Sequence, residues 1–188
     1  ALGSQRIRQD YLIAFGLAGE FEEGKAVDPA ILNMALQRIR QLSCHEVGHT
    51  LGLNHNYAAS TTQRASVMDY PHPLVKMKEG KIDLSDAYPQ EIGAWDKVTI
   101  AYGYQDFPKG TNEKDGMKEI LENAFTKEGL VYLTDQDIRG AHPYTHQWDN
   151  GANAVDELQR VMYIRNTALR SFSEKKVLWE IDRKSSER

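Results

Sequence analysis

The chain has 188 residues, 40% of them hydrophobic and 27% charged, with a formal net charge of −4 and one cysteine. That length suits one domain and can bury a substantial core. The mild acidity without a Lys/Arg cluster argues against nucleic acid as the main partner; no apolar run approaches the roughly 18 residues of a transmembrane segment, and the lone Cys44 permits no internal disulfide.

The chain opens on Ala1 rather than Met and reads as processed or excised. Arg6-Ile7-Arg8 followed by the apolar residues from Tyr11 to Ala18 mimics the basic and apolar parts of a signal peptide. Asp10 at the entrance of the run and the missing Met favour instead a short, largely buried helix over 4–18. Residues 20–25 are charged and contain glycine, as a loop does. Asp28-Pro29 then supplies an N-cap and a first helical residue. Ile31, Leu32, Ala35, Leu36, Ile39 and Leu42 follow at steps of three and four, with Asn33, Gln37, Arg40 and Gln41 on the opposite side. This spacing predicts a helix from about 29 to Leu51, stopped by Gly52.

The end of that helix carries His45-Glu46-Val47-Gly48-His49, then Gly52 and His55. Residues four apart share a helix face, so His45 and His49 can direct ring nitrogens at one ion, at roughly 2.0–2.1 Å if it is zinc. Glu46, one step round, stands beside such an ion rather than on it, where a general base acts on metal-bound water. Gly52 can turn the chain in a left-handed conformation and return His55 as a third ligand. Three histidines leave the fourth tetrahedral position open, the pattern of a catalytic rather than a closed structural site. At 100° per residue the two helical histidines lie on the edge of the apolar stripe, near Ile31 and Leu42. Cys44 points about 120° away from them, among polar positions, and is read as neither ligand nor nucleophile.

Residues 57–66 are small and polar, a loop. Ser66-Val67-Met68-Asp69-Tyr70-Pro71 is a compact turn whose methionine stands thirteen residues after His55. A lone methionine is ordinarily core filler; here Met68 is expected as an apolar floor beneath the imidazoles, with the Tyr70 hydroxyl extended towards a substrate carbonyl. His72, between two prolines, reads as a wall of the cleft rather than a ligand. Residues 76–88 form a charged loop with room for a hairpin. Glu91 to Tyr102 reads as a helix ending near Gly103, and Asn112 caps another through Lys127, stopped by Gly129. Val131 to Leu133 offers at most a short strand. The segment 134–151 holds Asp135, Asp137, His142, His146 and Asp149, which admit a calcium or second zinc site but fit ordinary capping and turn roles better, since Pro143 breaks the helical spacing of the two histidines. A long helix begins at Ala152, with Val155, Leu158, Val161, Met162, Ile164, Arg165, Ala168 and Leu169 on a wide apolar face. A helical tail after Ser173 frays over 184–188.

The long histidine motif followed by a methionine turn resembles the metzincin metalloproteases, and more particularly the large bacterial zinc-dependent metalloproteases of the Met-zincin family. The similar segments are HEVGHTLGLNHNYAAS, SVMDYPHP, IGAWDKVTIAYGY and YLTDQDIRG with WDNG, spread from about residue 29 to about 172. The resemblance implies a zinc-dependent metalloendopeptidase in which His45, His49 and His55 bind Zn2+, Glu46 is the general base, Met68 is the Met-turn residue and Tyr70 contacts the oxyanion. It implies a peptide or protein substrate and a secreted, periplasmic or cell-surface address. The fold expected is mainly α: a single metzincin-like domain over 1–188 with a long active-site helix, a Met-turn and several packed helices. Metzincins place a sheet before that helix, its edge strand pairing with substrate. Only 44 residues precede His45 and none alternates convincingly. The sheet is therefore expected upstream, in a longer parent chain, which leaves open whether this stretch is active by itself. Two rivals stand beside the peptidase: a zinc hydrolase of another acyl substrate, such as a deacylase, and a non-catalytic zinc-holding module that binds peptide or acts as a scaffold. Glu46 speaks against the last, because a structural site needs no unliganded glutamate beside its metal.

Overall fold

Asp28 and Pro29 start the long helix as their chemistry predicts, the Asp28 Oδ1 accepting from the Ala30 amide at 2.8 Å. The computed structural model describes residues 2–19, 26, 28–173 and 176; the expected loop at 20–25 and the tail beyond Ser173 lie outside the described residues except at Lys176. The chain is mainly α. In order come α1 (Leu2–Ala18), α2 (Pro29–Thr50), β1 (Lys76–Lys78), β2 (Lys81–Asp83), α3 (Ala94–Tyr104), α4 (Glu113–Glu122), a π turn over Asn123–Lys127, α5 (Asp135–Arg139) and α6 (Ala154–Arg170). Among the described residues the sheet is one antiparallel hairpin pairing Met77 with Ile82. Glu79 and Gly80 turn it with φ of 52° and 77°, the paired left-handed conformation of a tight hairpin. No helix among these residues is long and apolar enough to cross a membrane.

The residues group into two compact units, one from Ala1–Arg40, Pro73–Tyr88 and Leu158–Arg188, the other from Gln41–His72 and Pro89–Glu157. The first gathers Ala14, Phe15, Ile31, Met34, Leu84, Ala87 and Tyr88 into a core. α1 buries one face there rather than most of its surface: Ala14 and Phe15 are inside, but Ile13 is 40% exposed. A larger departure concerns α2. Leu32, Leu36 and Ile39 are exposed, whereas Gln37 and Arg38 are buried. The tertiary partners explain the inversion. Gln37 donates from Nε2 to the Ser85 carbonyl at 2.8 Å and accepts from the Tyr88 amide at 3.1 Å. Tyr88 donates to the Asp10 carboxylate at 2.7 Å, and the Arg38 guanidinium lies over the Tyr88 ring, 5.3 Å from its centroid. A buried polar group with its hydrogen bonds made is tolerated in a core; periodicity alone cannot reveal that those bonds exist.

The second unit has two apolar clusters. Ala65, Trp95, Ala124 and Leu130 form one, flanked by Val98, Leu121 and Tyr132; Leu53, Val67 and Met68 form the other, against Cys44 and Ile100. Trp95 stacks on Tyr132 with ring centroids 4.8 Å apart. Asn112 caps α4 by accepting from the Lys114 amide, and Gly129 takes a φ of 65° just past the π turn. Val131 to Leu133 is not a strand: Asn56 bridges it by side chain, donating to the Val131 carbonyl at 2.9 Å and accepting from the Leu133 amide at 3.2 Å. The segment 134–151, read as loop, contains the one-turn helix α5. On α6 the expected apolar face is largely outside, since Ile164 and Ala168 are buried but Val155, Leu158, Val161, Met162 and Leu169 are exposed.

Candidate metal centre

α2 ends in a hydrogen-bonded reversal that its glycines make possible. The Leu53 amide donates back to the Gly48 carbonyl and the Gly52 amide to that of His49, both at 3.0 Å. Gly52 sits at φ 83°, where a Cβ would be strained. The chain then doubles back and delivers His55 beside the two helical histidines. Ring nitrogens of His45, His49 and His55 lie within 4.8 Å of one another.

Each helical histidine has its tautomer set by the main chain. His45 Nδ1 meets the Val67 carbonyl at 2.8 Å and His49 Nδ1 the Leu53 carbonyl at 3.0 Å. A carbonyl only accepts, so both Nδ1 atoms carry the proton and both Nε2 atoms present lone pairs. Those two Nε2 atoms face each other at 3.1 Å. Two facing lone pairs repel unless a cation, a shared proton or a metal ion, lies beside both. The spacing is close to the roughly 3.3 Å edge of a tetrahedron with 2.0–2.1 Å zinc–nitrogen arms, and a third imidazole completes the set. Burial is the largest influence on His45 and lowers its pKa; His49 and His55 push the same way, against the Val67 carbonyl. That direction favours the neutral ring, the form in which an imidazole can hold a metal. Glu46 is exposed, and its charge is felt by His45.

The turn that supplies the Val67 carbonyl is itself held. Asp96, buried in the first turn of α3, accepts from the Ser66 hydroxyl at 2.5 Å, the Val67 amide at 2.8 Å and the Gly93 amide at 2.7 Å. Burial raises the Asp96 pKa against these three bonds. The Met68 amide donates to the Ser66 Oγ at 3.0 Å, and Gln41 Nε2 also donates to the Val67 carbonyl at 3.0 Å. Met68 is 1% exposed and packs on Gly48, where any Cβ would overlap its sulfur. Gly93 is equally constrained, because a Cβ there would collide with the Ala65 main chain.

Tyr70, two residues after Met68, also reaches the histidines. Its hydroxyl stands 3.0 Å from His55 Nε2 and its ring centroid 4.9 Å from that of His45. Trp148 stacks on Tyr70 at 5.3 Å. Its amide donates to the Tyr70 carbonyl at 2.8 Å and its φ is 65°, a left-handed conformation costly for a bulky residue and characteristic of functional loops. His55 Nδ1 meets Asp135 Oδ2 at 2.9 Å and the Tyr57 hydroxyl at 3.1 Å; that hydroxyl is also 3.2 Å from Asp135 Oδ1.

Other candidates lie apart from this cluster. Cys44 packs against the Leu53, Val67 and Met68 core. His72 reaches the site's surroundings through Trp148, with ring centroids 6.0 Å apart. Asp137 caps α5, accepting from the Thr134 amide at 2.6 Å. His142 accepts from the Tyr144 amide, His146 meets the Pro143 carbonyl, and Asp149 accepts from the Ser60 hydroxyl. Asp96, which holds the turn, is not singled out in the sequence, and Asp135, expected there in a capping or turn role, instead meets His55. Both carry a local signal, an acid three residues after Gly93 and a Thr134-x-x-Asp137 helix start, but neither signal names its distant partner.

A family model described as Met-zincin matches residues 28–186. No curated protein and no solved structure matches the chain. The matched span takes in all of α2, the three histidines, the turn at Met68 and the segment of Asp135 and Trp148, and the family implies the zinc that three clustered imidazoles can hold. By the extent of that match, this chain belongs to the Met-zincin family.

Proposed function

We propose that this chain carries the metal site of a zinc-dependent metalloendopeptidase, with His45, His49 and His55 as ligands through Nε2 and Glu46 as general base. The observation that carries the reading is the pair of facing Nε2 lone pairs on His45 and His49, 3.1 Å apart with both Nδ1 atoms committed to carbonyls. A zinc ion held there supplies a Lewis acid that polarises a peptide carbonyl and lowers the pKa of water at the site towards neutrality. Glu46, exposed and adjacent to His45, takes up the proton that this water loses and passes it to the leaving amine. The Tyr70 hydroxyl donates to the carbonyl oxygen as negative charge gathers on it, its ring held by stacking on Trp148. Met68, pressed on Gly48, is the Met-turn floor beneath the helical histidines. The substrate is a peptide or protein, and the family resemblance supports a secreted, periplasmic or cell-surface address.

The test is Glu46→Gln. Zinc content is expected to stay at one equivalent while peptide cleavage falls by about 10²-fold or more. Unchanged cleavage would remove Glu46 from the mechanism. Hydrolysis of acyl substrates but not peptides would redirect the reading to a deacylase.

A further inference from the structure

Of the three clustered histidines, His55 alone has its Nδ1 facing side chains instead of a main-chain carbonyl. Its two neighbours there are the carboxylate of Asp135 at 2.9 Å and the hydroxyl of Tyr57 at 3.1 Å. These make opposite demands. A carboxylate only accepts, so it requires the proton on Nδ1; a hydroxyl can donate to Nδ1 and so send the proton to Nε2. Only the first arrangement leaves Nε2 with a lone pair for the metal. Tyr57 already accepts from Gln147 Nε2 at 3.0 Å, so its own proton needs an acceptor, and His55 Nδ1 and Asp135 Oδ1 compete for it.

We propose that Asp135 is the positioning residue that makes His55 a metal ligand, by accepting the Nδ1 proton on one carboxylate oxygen and the Tyr57 proton on the other. The inference rests on reading the three histidines as a zinc centre. Oδ2 takes the His55 Nδ1–H, while Oδ1, 3.2 Å from the Tyr57 hydroxyl, draws that proton away from the ring. Carboxylate partners of this kind fix ring orientation and raise ligand basicity in metal sites. The device reaches across 80 residues of sequence, from the first residue of α5 to the reversal after α2. It gives the acidic segment at 134–151 a function: the segment sets the state of the third ligand, whereas the first two are set by the backbone.

The test pairs Asp135→Ala with Asp135→Ala/Tyr57→Phe. Asp135 is 53% exposed, so the fold should tolerate its truncation, which far-UV circular dichroism checks. Zinc affinity, measured against a chromophoric chelator, is expected to fall about 10–100-fold in Asp135→Ala. It should recover at least in part in the double variant, which lacks the hydroxyl that donates to Nδ1. Long-range proton–nitrogen correlation of labelled histidine at one fixed pH in the metal-free protein gives a second readout: His55 should be Nδ1-protonated in the original chain and in the double variant, and Nε2-protonated in Asp135→Ala. An unchanged tautomer and affinity in Asp135→Ala would overturn the proposal. So would an equal loss of affinity in both variants, because a general structural defect predicts no rescue. Failure of the underlying zinc reading would show separately, as no zinc binding by the unaltered chain, and the tautomer measurement would still decide the role of Asp135.

Discussion

The side chain of Met68 lies directly on the bare Cα of Gly48, within the helical turn that joins His45 to His49. In an exposed helix, Gly→Ala stabilises by about 1 kcal/mol. Here the new methyl would overlap the Met68 sulfur, and Met68 is fully buried among Leu53 and Val67. Overpacking of a core costs about 1–3 kcal/mol, so Gly48→Ala is expected to destabilise by about 1 kcal/mol and to weaken zinc binding. Adding Met68→Ala should relieve the overlap. A double-mutant cycle by urea unfolding would measure the coupling, and strict additivity would deny the contact.

Asp96 holds the turn with both carboxylate oxygens. Asp96→Ala strands the Ser66 hydroxyl and the Val67 and Gly93 amides, each worth about 1–3 kcal/mol if buried without a partner, so a loss of about 3 kcal/mol or more is expected. Asp96→Asn keeps one oxygen for the two amides and presents its NH2 to Ser66 Oγ. It should cost about 1 kcal/mol. Equal losses for the two variants, by denaturant unfolding, would show that the bonds are not what matters.

Asp69 is 3% exposed, and burial, helped by the nearby Asp149 charge, raises its pKa to about 7 against a bond from the Tyr70 amide. A carboxyl with a raised native pKa favours folding fully only below its unfolded value. Stability from this group is therefore present below about pH 4 and lost as pH rises towards 7, at up to about 1.4 kcal/mol per unit. Asp69→Asn removes that dependence. The stability difference, variant minus parent, should grow in the variant's favour between pH 4 and 7, and a difference flat across that window would contradict the burial.

Zinc should stabilise the native chain, since the unfolded chain has no preformed site. At a free concentration 100 times the dissociation constant the gain is about 2.7 kcal/mol, or roughly 5–10 °C in Tm at about 2–4 °C per kcal/mol. Dipicolinate should reverse it. His45→Ala/His49→Ala should abolish the shift, and a Tm indifferent to zinc in the unaltered chain would refute the metal centre.

The sequence by itself determined what is local: the Asp28-Pro29 start of α2, the four-residue spacing that sets His45 and His49 on one face, the reversal at Gly52, and the approach of His55, Met68 and Tyr70. The helix start, the histidine spacing and the reversal follow from capping chemistry, helix periodicity and the backbone freedom of one glycine; Met68 and Tyr70 are expected from the turn that follows the histidine motif and from the family resemblance. The tertiary structure decided the rest. Gln37 and Arg38 went inside while Leu32, Leu36 and Ile39 stayed out, because Ser85, Tyr88 and Asp10 meet the polar side chains. Asp96 reached back 29 residues to Val67, and Asp135 reached 80 to His55. A hydrogen bond between distant residues leaves no period in a sequence, so the three histidines that cluster here could be picked out in advance, and the distant groups bonded to them could not.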